Sequence, residues 1–468
     1  MTGTTSRLPV GSLALMLLRG RAAAGRAVID VLAVATFALT SSLLLSVVAG
    51  ARAFHAREEH PPAAFVQKLG DQAAQGVGQL PMWTFLAVGA ALLLVVPLLT
   101  LSSAAARMGA LGRDQRLATL RLLGVSSGGA VLLAATETMA AAVIGCVLGT
   151  LGYLALLPVW TRLVFQETPL TVPEMLLPAS WIAVVLAAVV LLAGAAAVAG
   201  LREVRISPLG VARRTGRRRL RWQRLLLVPA ILVAWVALAP LLDFTRATAF
   251  AVGATFVALT CFMGVVNLIG PLVLQLAGQV MVRSNSTPAL LAGRRLLDDP
   301  RGAWRSVAGL AFVGFTGGSL IALPTVADPA DRLGTILIAD IRTGTLLTLV
   351  IAFVVAAAST ALNQAVGVLD RRATLVQLDH AGAQRSLVHD TRRRQVLVPT
   401  AIASLGSAGL AAAFFMTLGA TSGIAGDITG PGALAVVLAL GLALVVGASE
   451  SCRPLVRGIL AGAGPRVD

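Results

Sequence analysis

The chain has 468 residues, of which 57% are hydrophobic and 13% charged, with a mean hydropathy of +0.86. These figures exclude an ordinary soluble globular protein. A formal net charge of +17 would suggest a nucleic-acid partner if it were gathered on one soluble face, but the basic residues fall in short segments between apolar runs. No nucleic acid is expected.

Apolar runs near 27–50, 83–105, 128–157, 179–201, 225–241, 249–281, 306–325, 344–366, 396–418 and 432–450 predict ten transmembrane helices. With the N-terminus inside, 31 of the 38 Lys and Arg residues lie in cytosolic segments and 7 in external ones. The positive-inside rule therefore puts both termini in the cytoplasm. Trp83, Trp160 and Trp181 then fall at outer helix ends, and Trp222 and Trp304 at inner ones, where interfacial aromatic belts lie; Trp235 sits mid-helix. Cys146, Cys261 and Cys452 fall within or just inside the spans and read as small core residues. Ala51-Arg-Ala53 could mimic a signal-peptidase site, but the apolar run before it exceeds a secretory core of about 7–15 residues, so the first helix reads as uncleaved.

Ahead of that helix, LMLLRGRAAAGRAVID is a basic amphipathic lead-in, with Arg19, Arg21 and Arg26 among inner-leaflet headgroups and Asp30 within reach of Arg26. The first external loop, 51–82, carries Arg57, Glu58, Glu59, His60, Pro61 and Pro62. With His55 this set could hold a metal, but the spacing matches no ligand motif, and a charged, proline-broken tip is ordinarily solvated. Between the second and third helices comes RDQRLATLRLLG, residues 113–124. Leu117, Leu120 and Leu123 recur every three residues among Arg113, Arg116 and Arg121, the pattern of a cytosolic helix lying along a surface.

The third helix carries Glu137, the only acid well inside a predicted span, and a Gly145-x-x-x-Gly149 pair followed by Gly152. An ionisable residue there is a functional candidate. It could relay protons, which needs further buried acids, or sit at the inner interface beside an arginine if the first turns project into the cytosol. The glycines suit close packing against the fourth helix or against the other half of the chain, or are simple small-residue filling. After the fourth helix, nine arginines between Arg202 and Arg224 either dock a partner or act as a stop-transfer anchor.

The first pattern then returns. LLAGRRLLDDPRGAWRSVAG, with Arg294, Arg295, Arg301 and Arg305, repeats the lead-in, and Arg371-Arg372-Ala-Thr-Leu375 with Leu378 repeats the handle at 369–382. Gln395 falls opposite Glu137. The external loop of the second half, 326–343, holds Asp328, Asp331, Arg332, Asp340 and Arg342. The plan is one helix plus three, twice, with helices five and six bridging the copies.

An arginine-rich AxLRxLG element ahead of a Gly-rich transmembrane helix with a glutamate in its first half resembles the FtsX/MacB-type permeases of ABC transporters. The resemblance implies an all-α polytopic membrane protein of ten helices. Residues 1–202 would form a first FtsX-like unit, 203–283 a linker with helices five and six, and 284–468 a second unit. It also implies a bacterial cytoplasmic-membrane location and two handles, at 113–124 and 369–382, that each engage one copy of a separate ABC ATPase. Its external loops are far smaller than the periplasmic domains of many such permeases.

The only lysine is Lys68, so the chain contains no GxxxxGK[ST] phosphate cradle. ATP and Mg would then sit on the partner ATPase, the chain itself would not be an enzyme, and no cofactor or metal is expected in it. The function expected is efflux of, or resistance to, an amphipathic compound such as an antimicrobial peptide, lipid or drug, taken from the bilayer. A non-transporting FtsX-like signal transmitter would need a large external surface, and a secondary transporter would need midplane sites in both halves.

Overall fold

In a computed structural model of the chain, the described residues are 27–111, 127–205, 268–319, 331–370, 376–377, 380, 384–409, 411, 429–451 and 453. They are almost entirely helical. In chain order the helices are α1 (Ala27–Glu59), α2 (Ala63–Leu69), α3 (Ala73–Leu111), α4 (Ser127–Trp160), α5 (Val172–Met175), α6 (Ala179–Arg205), α7 (Leu268–Val282), α8 (Thr287–Asp298), α9 (Pro300–Ser319), α10 (Arg332–Asp370), α11 (Arg385–Ala401) and α12 (Thr429–Glu450). A two-residue ribbon, β1 (Val164–Phe165) antiparallel to β2 (Thr168–Pro169), is the strand pairing among the described residues.

Five helical stretches among these residues are long and apolar enough to cross a membrane: Asp30–Glu59, Ala63–Ala106, Val131–Trp160, Ala179–Ala199 and Arg332–Val368. This is the composition of a helical membrane protein. The helix expected at 225–241, most of the one at 249–281, the linker arginines from Arg213 onward and Trp222 lie outside the described residues, as do Cys261 and Cys452, while Arg202 and Arg205 fall in the last turn of α6.

Two segments expected as external loops are helical instead. Most of 51–82 extends α1 to Glu59, forms α2 and begins α3, and α10 starts at Arg332 within the expected loop 326–343. The cause is local. Pro61 and Pro62 break the chain once, and Pro62 occupies the position before α2, where a missing N–H costs nothing. Asp331 caps α10 by accepting the Gly334 amide at 2.9 Å. Asp299 likewise takes the Gly302 amide at 2.8 Å, with Pro300 opening α9.

The chain divides into two compact units. The first comprises Met1–Leu43, Leu99–Leu154 and Ala179–Val211. In it the glycines of α4 meet α1, not α6. A Cβ on Gly145 would lie 2.5 Å from Phe37 Cβ and 2.9 Å from the Val34 carbonyl; one on Gly149 would lie 2.5 Å from the Ala38 carbonyl and closer still to Ser41 Oγ. The two backbones touch, so only hydrogen fits. Gly152 faces Ser42 in the same row. Helix α6 meets α4 where Gly194 approaches Met139.

The second unit comprises Leu44–Leu98, Ala155–Pro178 and Ala212–Asp468. Helix α10 packs against α9 and α12, and α8 against α11. On α9, Gly314 and Gly318 lie against a π-helical turn, Ile402–Gly406, and the residues after it; a Gly314 Cβ would fall 2.7 Å from the Ser404 carbonyl. Pro399, which lacks an amide donor, precedes that turn. Trp304, expected at a membrane interface, is buried against Gly270. Arg295, expected among headgroups, is half-buried and donates to Gln395 Oε1 at 3.2 Å.

Gly149→Leu is expected to separate α1 from α4 and lower the thermal unfolding temperature in detergent by more than about 5 °C, in line with overpacking costs of about 1–3 kcal/mol. Gly128→Leu, on the same helix with open space around its Cβ, should leave that temperature unchanged.

Candidate functional site

Within the second unit, the C-terminal half of α1, the middle of α3, the segment 160–175 and the first half of α10 surround a cavity of about 300 Å³. Its walls are apolar and aromatic, with Phe54, Trp83, Phe85, Trp160 and Phe165 among them. Among the described residues, Asp340 is the one charged side chain that lines it. The polar groups nearby are turned to internal use. Trp160 Nε1 donates to Ser46 Oγ at 3.2 Å and Thr348 Oγ1 to the Gly344 carbonyl at 2.8 Å.

The wall formed by 160–175 is held by a single arginine. Arg57, on α1, is 2% exposed and reaches Glu174 with Nε at 2.8 Å from Oε1 and Nη2 at 3.1 Å from Oε2. Its remaining donors grip both arms of the ribbon, Nη1 to the Phe165 carbonyl at 2.8 Å and Nη2 to the Pro169 carbonyl at 2.9 Å. Such a fork matches a carboxylate in two places and leaves hydrogens for carbonyls beside it. Glu174 is oriented in turn by Thr171, whose amide and hydroxyl donate to Oε2 at 2.7 and 2.9 Å. Burial pushes the Glu174 carboxyl up, but the hydrogen bonds from Arg57 and Thr171 outweigh it and hold the group below its ordinary value.

The turn of the ribbon is strained. Gln166 and Glu167 both take left-handed backbone angles, φ +52° and +60°, where a two-residue hairpin favours Asn and Gly. Such conformations cost about 1 kcal/mol or more each for residues with a Cβ. They persist because the turn is fixed from two sides. Arg57 holds its arms, and the Gln166 amide donates to Asp340 Oδ2 at 2.9 Å. Trp83 Nε1 donates to the same oxygen at 2.8 Å. Phe165 is thereby laid edge-on to Phe54, with ring centroids 5.2 Å apart.

Beside this lies a small apolar cluster of Phe65, Leu69, Leu80, Trp83, Leu333 and Ile336, closed by an edge-to-face pair of Phe65 and Trp83. Lys68 pairs with Glu167 at 2.6 Å, and Arg332 Nη1 donates to the Lys68 carbonyl at 3.2 Å.

The residues singled out in the sequence fare unevenly. Arg113, Arg116, Leu117, Leu120, Arg121, Leu123, Arg371, Arg372, Leu375 and Leu378 lie outside the described residues. Glu137 is half-buried on α4, about two turns inside the span Val131–Trp160, and it does not line the cavity. Gly145, Gly149 and Gly152 mediate helix contact, but with α1. Trp83 and Trp160, expected in an aromatic belt, are 3% and 9% exposed and spend their N–H groups inside the protein. Arg57, expected to be solvated, is the deepest charge of the site. His55 lies near Glu58 and Glu59, at 3.5 and 3.8 Å, and no group of three or more metal-ligating side chains occurs among the described residues.

Glu174 is not among the site residues expected from the sequence, where Asp340 is only a loop acid. The Thr171–Val–Pro–Glu174 spacing is a capping-box signature that could have flagged the first. Nothing local marks the second, since its partners are 257 and 174 residues away. No family model, no curated protein and no solved structure matches the chain.

Glu174→Gln is expected to cost roughly 3 kcal/mol, because it strands a buried guanidinium. The folded carboxyl titrates below its unfolded value, so its contribution is present above about pH 4.5 and is lost as pH falls from there through the folded pKa. Thermal unfolding followed from pH 7 to 3 should therefore slope more steeply for the wild type than for Glu174→Gln. Glu167→Gly should raise stability by about 0.5–1 kcal/mol, since relief of the left-handed residue exceeds the value of an exposed pair with Lys68; unfolding temperatures of the two proteins check it.

Proposed function

We propose that the chain is the membrane-spanning permease subunit of an ATP-driven exporter of the FtsX/MacB type, which takes an amphipathic compound from the bilayer. The observation that carries this reading is the cavity's chemistry. A space of about 300 Å³ walled by aromatic and aliphatic side chains, with one carboxylate at its edge, suits a molecule with a large apolar body and a single polar group. A sugar or a hydrated ion would leave its hydrogen bonds unmet against such walls.

The motor is assigned to a second polypeptide, since the sequence has one lysine and no phosphate cradle. The two arginine-rich handles, 113–124 and 369–382, are the proposed docking points for two copies of it. Closure of the ATPase pair on ATP would draw the handles together and rearrange the helices that continue from them. The asymmetry of arginine along the sequence supports a cytoplasmic side for both handles and both termini, and a location in a bacterial cytoplasmic membrane follows from the same family reading.

The glycine contacts support the twofold plan. In the first half the first and third predicted helices meet through Gly145 and Gly149 of the third; in the second half their counterparts, α9 and α11 with its π turn, meet through Gly314 and Gly318 of the first. The same pair of helices is in close contact in each half, with the small residues on opposite partners.

Purification from native membranes in mild detergent should recover a soluble ATPase at about two copies per permease. Charge reversal at Arg116 and Arg121 should lower transport-coupled ATP hydrolysis at least tenfold and leave the helical circular-dichroism signal unchanged. Transport by the isolated chain on a proton gradient, with no ATPase bound, would overturn the proposal.

A further inference from the structure

The geometry points to a bulky organic cation, an apolar amine or quaternary onium ion, as the occupant of the cavity, with Asp340 as its counter-ion. This deepens the exporter reading by naming the chemistry of the transported compound, and it rests on that reading for the word transported; the binding itself does not.

Three observations converge. Asp340 is 8% exposed, yet among the described residues it makes no ion pair. Buried acids are paired as a rule, because an isolated charge out of water is costly. The guanidinium nearest in role, Arg57, is already committed to Glu174 and two carbonyls. Second, both hydrogen bonds to Asp340 fall on Oδ2, from Trp83 and Gln166. An ionised carboxylate has about four acceptor positions, so the group retains capacity for a cation. Third, the surrounding wall is aromatic. Phe54, Trp83, Phe85 and Phe165 line the same space, and aromatic rings attract onium groups, the more so when water is excluded. No basic residue lines the cavity among the described residues, and the charge of Arg57, which reaches Asp340, is paired with Glu174.

Other features carry less. Glu137 is not without a partner and does not line this cavity. In the group at the end of α1, His55 and Glu59 are exposed and Glu58 is half-buried and accepts from Thr84.

The test uses the purified full chain in maltoside micelles without ATPase or nucleotide, and equilibrium dialysis with tetraphenylphosphonium as the cation and triphenylphosphine oxide as its neutral counterpart. The wild type should bind about one tetraphenylphosphonium per chain, at least tenfold more tightly than the neutral probe. D340N keeps an oxygen to accept from Trp83 and Gln166, and should weaken the cation at least tenfold while leaving the neutral probe unchanged. Gly50 lines the cavity with open space around its Cβ, so Gly50→Leu fills the cavity without a clash and should abolish both. If D340N fails to fold, the Gly50→Leu result and the cation preference of the wild type decide the matter.

Equal binding of the two probes would assign the cavity to neutral apolar molecules or lipid tails and overturn the proposal. So would unchanged cation binding by D340N or by Gly50→Leu. Displacement of the cation by dihexanoylphosphatidylcholine at equal concentration would assign the site to lipid headgroups and overturn it likewise. Cation binding with no ATPase ever recovered would leave the site standing and remove the exporter reading; an ATPase recovered with no cation binding would do the reverse.

Discussion

The bidentate contact between Arg57 and Glu174 is the constraint on which the described site depends. A guanidinium 2% exposed in a chain this apolar is tolerable only if nearly all its donors are met, and here they are met by one carboxylate and two carbonyls. The consequence is positional. The hairpin that follows α4 cannot drift from α1, so its turn presents the Gln166 amide to Asp340 and its Phe165 ring to the cavity. Remove the arginine and the turn has no reason to keep two left-handed residues that carry side chains. Polar chemistry thus shapes a space whose own walls are apolar.

Elsewhere cohesion comes from close approach. Helices of Leu, Val and Ala gain little from burying one another in an apolar solvent, and backbone contact at glycine lets dispersion act over many atoms at once. That is the arrangement at Gly145 and Gly149 against α1, and at Gly314 and Gly318 against the turn after α11. The π turn itself follows a proline whose missing amide frees carbonyls to shift register.

Much of this could be read in the sequence. Long apolar runs announced helices at 27–50, 128–157, 179–201 and 344–366, and each is present and runs on past its expected C-terminal end, by three to nine residues. The Gly145-x-x-x-Gly149 row was visible as a contact face, though its partner was not, because every neighbouring helix is equally rich in small residues. The helical character of 51–82 was hidden by charge: Arg57, Glu58 and Glu59 read as solvated until a partner for the arginine appears 117 residues later. The tryptophans misled for a related reason. An indole at a helix end serves either an interface or an internal acceptor, and Asp340 and Ser46 decide the matter for Trp83 and Trp160.

Helix α10 has a further implication. It runs unbroken from Arg332 to Asp370, 39 residues, with no proline within it, so Asp340 and the helix's far end share one rod about 45 Å apart at 1.5 Å per residue. Rotation of one end is rotation of the other. A single residue inserted between them would turn the carboxylate about 100° away from the cavity relative to the distal end, so the spacing along this rod is as much a part of the cavity wall as the residues that form it.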